Sequence, residues 1–247
     1  MEGNVVAGIL IPFAGTALGA ACVFFMRRGM GAALRRGLNG LAAGIMAAAS
    51  FFSLLLPALE RGGILPVLAG FLPGMLFLWL ADVLLPRVQQ AERRLTATEK
   101  MLLAVTLHNL PEGMAVGAAY AGWLFGSGEA ALAGAFSLAL GIALQNIPEG
   151  AIVSMPLRAE GMGRGRAFFD GVLSGAVEPA GALLILTAIG VFLPLLPALM
   201  AFAAGAMFSV IVEELIPGRT ERGRESPVSL WFALGFILMM TLDVTLG

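Results

Sequence analysis

The chain has 247 residues, of which 59% are hydrophobic and 13% charged, and its mean hydropathy is +0.91. That composition is too apolar for a soluble domain of this length and describes a polytopic membrane protein with almost nothing left over for a second domain. A net charge of −1 gives no electrostatic footprint for nucleic acid, and the single Cys22 excludes both an intrachain disulfide and a thiolate-rich metal cage.

Apolar stretches of about 20 residues, the length that crosses a bilayer core, predict eight transmembrane helices over 4–26, 37–59, 63–85, 101–124, 129–157, 167–193, 195–217 and 228–246. Residues 1–247 thus read as one all-α membrane domain. The start, Met1-Glu2-Gly3-Asn4, has no basic n-region, and no small-residue cleavage signal follows, so the first helix is expected to stay in the mature protein. Basic residues gather in alternate connections: Arg27, Arg28, Arg35 and Arg36; Arg87, Arg93, Arg94 and Lys100; Arg158, Arg164 and Arg166; Arg219, Arg222 and Arg224. Only Arg61 falls on the other side. Because Lys and Arg beside transmembrane ends are retained in the cytoplasm, the expected topology is multi-pass in the cytoplasmic membrane with both termini outside. Glycines spaced by four, Gly15/Gly19, Gly40/Gly44, Gly113/Gly117 and Gly171/Gly175, read as ordinary close helix packing.

The fourth and fifth predicted helices carry the informative motifs. His108-Asn109-Leu110-Pro111-Glu112-Gly113 returns 37 residues later as Gln145-Asn146-Ile147-Pro148-Glu149-Gly150. Pro111 and Pro148 lack an N–H and free the carbonyls of Leu107 and Leu144, so each copy brings unsatisfied backbone oxygen into an apolar segment. Adjacent helices joined by a short turn run antiparallel, which makes the repeat inverted in the membrane, a plan that recurs in secondary transporters.

Residues three and four apart share a helix face, so His108 and Asn109 flank Glu112, and Gln145 and Asn146 flank Glu149. The two fans together offer an imidazole, three amides and two carboxylates, a donor set for Zn²⁺, Fe²⁺, Mn²⁺ or Cd²⁺; without thiolate it does not suit Cu(I). The ordinary reading of one histidine in an apolar helix is a satisfied core residue. It does not account for two carboxylates, two prolines and three amides in register.

Depth identifies further candidates. From the nearest basic residue, Glu112 is 12 residues in, Glu149 is 9, Glu178 is 12 and Met46 is 10. At about 1.5 Å per residue all four lie roughly 14 to 18 Å deep, near mid-membrane. Glu178, followed by Pro179, is therefore expected to join the two fans, and Met46 could cap the site with a thioether. Asp82 beside Arg87, and Asp170 one turn after Arg166, read as charges at the membrane edge. Glu213 and Glu214 are shallower and read equally well as an exit path or an interfacial pair, while Ser53 and Glu60 mark an approach from outside.

At these residues the chain resembles the ZIP (Zrt/Irt-like) divalent-metal transporters, in particular the prokaryotic GufA-like type. The resemblance covers eight helices, external termini and the paired HNLPEG and QNIPEG motifs. It implies a 3 + 2 + 3 inverted-repeat bundle, a homodimer as partner, and a binuclear site with bridging carboxylates. Carried onto this chain, His108, Glu112, Gln145, Glu149 and Met46 resemble the first metal site. Asn109, Asn146 and Glu178 resemble the second, which shares both bridging glutamates. Asn146 departs from relatives that carry aspartate there, removing one negative charge. A histidine-rich loop between helices 3 and 4 is also absent, His108 being the chain's one histidine.

The expected function is import of divalent transition metal, zinc foremost, by alternating access, with no prosthetic group and no catalysis. The alternatives are a selective metal channel and an intramembrane metallohydrolase. The latter requires an open metal position and a general base, and neither H-E-x-x-H nor G-x-S-x-G occurs in the chain.

Overall fold

The computed structural model describes residues 2–25, 31–92, 97–125, 129–191, 193–215 and 228–246. Among these residues the chain forms eight long helices and no strand. Helix α1 is Glu2–Ala20, continued by Cys22–Phe25. Helix α2 is Ala32–Ala48, which widens into a π-helical turn at Ala49–Leu55 and finishes as Leu56–Gly62. Then come α3 (Ile64–Glu92), α4 (Ala97–Phe125) and α5 (Glu129–Ala159). Helix α6 is Arg164–Gly175 and Val177–Val191, broken at Ala176. Helix α7 is Leu196–Val210, preceded by a 3₁₀ turn at Leu193–Leu195 and followed by a π-helical turn at Ile211–Leu215; α8 is Val228–Leu246.

Local chemistry explains several boundaries. Gly63 (φ 73°) separates α2 from α3 and Gly161 (φ 97°) follows α5, left-handed conformations that a side chain would strain. Pro197 stands at the start of α7, where its missing N–H has no intrahelical role. Pro12, Pro111, Pro148 and Pro156 remain inside helices, which membrane helices allow when neighbours re-satisfy the freed carbonyls. Seven helices among the described residues are long and apolar enough to cross a membrane. Helix α4 is the eighth expected span, and its His-Asn-x-Pro-Glu run lowers its hydropathy.

The packing pairs reveal the inverted repeat. Helix α1 packs on α5 and α4 on the second part of α6; α3 packs on α7 and α2 on α8; α4 meets α7 and α2 meets α5. Exchanging α1 with α6, α2 with α7, α3 with α8 and α4 with α5 turns each pair into another pair of the set. That exchange swaps odd with even helices, so the halves are inverted, giving the 3 + 2 + 3 arrangement. The motif glycines show it atomically: Gly113 lies against the backbone of Glu178 in α6, and Gly150 against the backbone of Thr16 in α1. A Cβ at either position would drive the helices apart. Both π-helical turns fall in the symmetry-related helices α2 and α7.

Further contacts of α4 with α5, and of α6 with both α1 and α5, tie α1/α4/α5/α6 into one four-helix unit; contacts of α2 with α7 tie α2/α3/α7/α8 into another, and α4–α7 and α2–α5 join the two. Helices α3 and α8 are the least enclosed, presenting Leu65, Leu72, Leu76, Leu230, Leu234 and Ile237 outward. Such a surface is compatible with lipid and not with water.

Candidate metal site

The two motifs meet where α4 crosses α5. Asn109, Gln145 and Asn146 have no exposed surface, Glu112 and Glu178 are 1% exposed, and His108 is buried. Glu149 is half-buried. Gln145 Nε2 donates to Glu112 Oε1 at 2.7 Å, linking the fans directly. Helix α6 joins them through Glu178. Pro179 cannot donate to the Gly175 carbonyl, and the helix breaks at Ala176. Asn109 Nδ2 donates to the neighbouring Ser174 carbonyl at 3.1 Å and to Glu178 Oε1 at 3.4 Å.

Sequence reasoning missed Thr16. Its Oγ1 donates to Glu178 Oε1 at 2.6 Å, and the residue is 1% exposed. Because Gly150 faces Thr16 as Gly113 faces Glu178, the two are pseudo-symmetric counterparts: one half of the repeat places a carboxylate at this position and the other a hydroxyl. The weak signal available was a polar residue between Gly15 and Gly19 in an otherwise apolar helix that already contains Pro12.

Apart from Asn146 Nδ2, the unpartnered buried atoms of these residues are all acceptor oxygens. Asn109 Oδ1, Glu112 Oε2, Gln145 Oε1, Asn146 Oδ1 and Glu178 Oε2 are buried and accept no hydrogen bond. An unpartnered buried polar atom costs about 1–3 kcal/mol, so five such oxygens in one layer form an arrangement that a divalent cation relieves. Among the described residues, no three His, Cys, Asp or Glu side chains enclose an ion by themselves. A metal held here therefore depends on the amide oxygens too. Met46 is fully buried in α2. Gly44 packs against Phe232 as Gly205 packs against Phe71, so the repeat pairs Met46 with Met207, also fully buried, a correspondence no sequence motif announces.

Two cavities lie at opposite ends of the bundle. One, of about 100 Å³, is lined by Asn39, His108, Glu149, Val210 and Leu215. It stands at the end carrying the arginine-rich connections and reaches two candidate ligands. The other, of about 250 Å³, is lined among others by Ser53, Arg61, Gly122, Met200 and Asp243, and reaches none of them. Ser53, expected on the outer approach, donates to Asp243 Oδ1 at 2.8 Å, and Arg61 Nη2 donates to the Gly122 carbonyl at 3.3 Å. Glu60 is exposed. Asp170 pairs with Arg166 at 3.9 Å, as their spacing predicts. Glu213 is exposed and does not line the smaller cavity. The side chains of Asp82 and Glu214, and Arg87, lie outside the described ones.

An eight-helix inverted repeat, with Pro-containing polar motifs meeting inside the bundle beside a cavity, defines a multi-pass membrane protein of the inverted-repeat transporter class. The family model described as ZIP zinc transporter matches residues 87–243, a stretch that includes both motifs. The chain is 37% identical to zinc transporter ZIPB of Bordetella bronchiseptica, over 99% of this chain and 82% of that protein. It is 38% identical to zinc transporter GufA of Myxococcus xanthus, over 84% and 85%, and 34% identical to zinc transporter ZIP11 of Xenopus tropicalis, over 97% and 96%. The chain belongs to the ZIP family. Its members are transporters rather than enzymes, which removes the metallohydrolase alternative.

Proposed function

We propose that this protein imports Zn²⁺, with Fe²⁺, Mn²⁺ or Cd²⁺ as competitors, by alternating access around a binuclear site. His108, Glu112, Gln145, Glu149 and Met46 hold the first ion. Asn109, Asn146 and Glu178 hold the second, with Glu112 and Glu149 bridging. The observation that carries this reading is the layer of five unpartnered buried oxygens between α4, α5 and α6. Three carboxylates offset most of the charge of two divalent ions, and the amides complete their coordination. Relatives named as zinc transporters support zinc as the cargo.

Alternating access is supported by the division into two units, because all the proposed ligands except Met46 belong to α1/α4/α5/α6. Displacing that unit against the other carries the polar layer from one cavity toward the other. Direction rests on the basic connections, which assign the smaller cavity to the cytoplasm. The test is Zn²⁺ uptake by purified protein in proteoliposomes, with competing ions and the pH gradient set independently. Saturable uptake accelerated by metal on the far side supports a carrier; flux that neither saturates nor shows countertransport identifies a channel instead.

A further inference from the structure

We propose that Asn39 of α2 is a metal ligand on the release path, forming with His108 and Glu149 a transient divalent-cation site in the smaller cavity. This rests on the metal-transport reading and adds to it one ligand, Asn39, outside the central set. Asn39 is three residues from Arg36 in sequence, near the arginine-rich end, and its side chain lines the same cavity as His108 and Glu149. Its Oδ1 is buried and accepts no hydrogen bond. An amide oxygen beside an imidazole and a carboxylate is a donor set for a divalent transition metal.

The position gives the residue a task. His108 and Glu149 belong to the unit that carries the central layer, whereas Asn39, Val210 and Leu215 belong to α2 and α7 of the other unit. The cavity thus lies on the seam between the two. The other four lining positions are Val105, Ile152, Val210 and Leu215, none of which has a side chain able to coordinate an ion. An ion leaving Glu112 must shed ligands before water reaches it, and Asn39 supplies the first oxygen from the opposing unit. Being neutral, it lowers the cost of that step without holding the ion as a carboxylate would.

The site is tested with Asn39→Cys in a Cys22→Ser background and Cd²⁺ as the probe. A thiolate placed within bonding distance of the ion gives a sulfur-to-cadmium charge-transfer absorption. The expected result is that band in Asn39→Cys protein and its loss when Glu149→Ala is added. In parallel, Asn39→Ala should slow Zn²⁺ uptake about fivefold, the rate equivalent of one polar contact, with the equilibrium dissociation constant of the purified protein unchanged. Cd²⁺ binding of normal stoichiometry to Asn39→Cys protein without the band overturns the proposal, as does wild-type uptake in Asn39→Ala. The central site fails separately, if Glu112→Ala and Glu149→Ala still bind and transport metal.

Discussion

The repeat maps each four-helix unit onto itself, and the two units are filled differently. Among the described residues, ten of the twelve buried polar or charged side chains belong to α1, α4, α5 and α6; the other unit contributes only Ser50 and Ser209. Its core is largely apolar and includes Met46 and Met207, which the repeat relates to one another. One unit therefore concentrates the cost of polar burial, and the other presents an apolar wall to it. Burial of polar groups without partners is costly in a bilayer, so such a division persists where the polar unit has something to bind. A wall of alanine, methionine and isoleucine in turn offers no fixed hydrogen bonds that would lock the two units in one register.

The polar unit is most sensitive at its carboxylates. Glu112→Ala or Glu149→Ala is expected to abolish Zn²⁺ uptake while leaving a folded membrane protein, because each removes a carboxylate charge from the site. Uptake assays beside size-exclusion profiles check this. Undiminished flux at normal expression would refute the site assignment. The next largest effect concerns the fold itself. Gly113→Leu must separate α4 from the Glu178 backbone, and overpacking of this kind costs about 1–3 kcal/mol or more. Gly190→Ala meets nothing within 4 Å and should leave the thermal midpoint in detergent unchanged. Equal midpoints for the two variants would contradict the close approach inferred between α4 and α6.

His108→Ala should separate the transported ions. Imidazole favours Zn²⁺, while carboxylate and amide oxygens suit Mn²⁺, so competition assays should show a larger loss for Zn²⁺, about tenfold, than for Mn²⁺. Equal losses for the two ions would make His108 a structural residue.

Much of this was legible in the sequence because it follows from local spacing. Helix lengths follow from the bilayer, and the positions of Pro111 and Pro148 mark the crossing. Counting from the charges put Glu178 level with the motifs, and in the structure it accepts a bond from Asn109 of the first one. What was not legible is carried by long-range pairing. Thr16 and Glu178 are 162 residues apart, and a lone threonine in an apolar helix has many bland explanations. Asn39 reads as an ordinary residue near a membrane edge until α2 is packed beside α4 and α5. Asp243 lies at the end of the chain, and only its bond to Ser53 gives it a place. The exchange of α1 with α6 has no sequence signature, because the repeat preserves packing partners rather than residue types.

The smallest expected effect tests the asymmetry between Thr16 and Glu178. Thr16 Oγ1 occupies Glu178 Oε1, which leaves Oε2 as the oxygen available to a cation. Replacing threonine with valine keeps both γ positions, so the packing of Thr16 against Gly175 and Gly150 survives while the hydroxyl is lost. A hydrogen bond to a charged group contributes about 1.5–3 kcal/mol, and only part of that orients the carboxylate. Thr16→Val should therefore weaken binding of the second ion by roughly tenfold and leave the first nearly unchanged, whereas Thr16→Ser should bind as the parent does. Calorimetric titration with Zn²⁺ separates the two events. If the serine variant loses as much as the valine variant, the methyl packing rather than the hydroxyl matters, and Thr16 is only a wedge between α1 and α6. If valine changes neither event, Glu178 is oriented by Asn109 alone, and the hydroxyl on α1 has no share in the metal site.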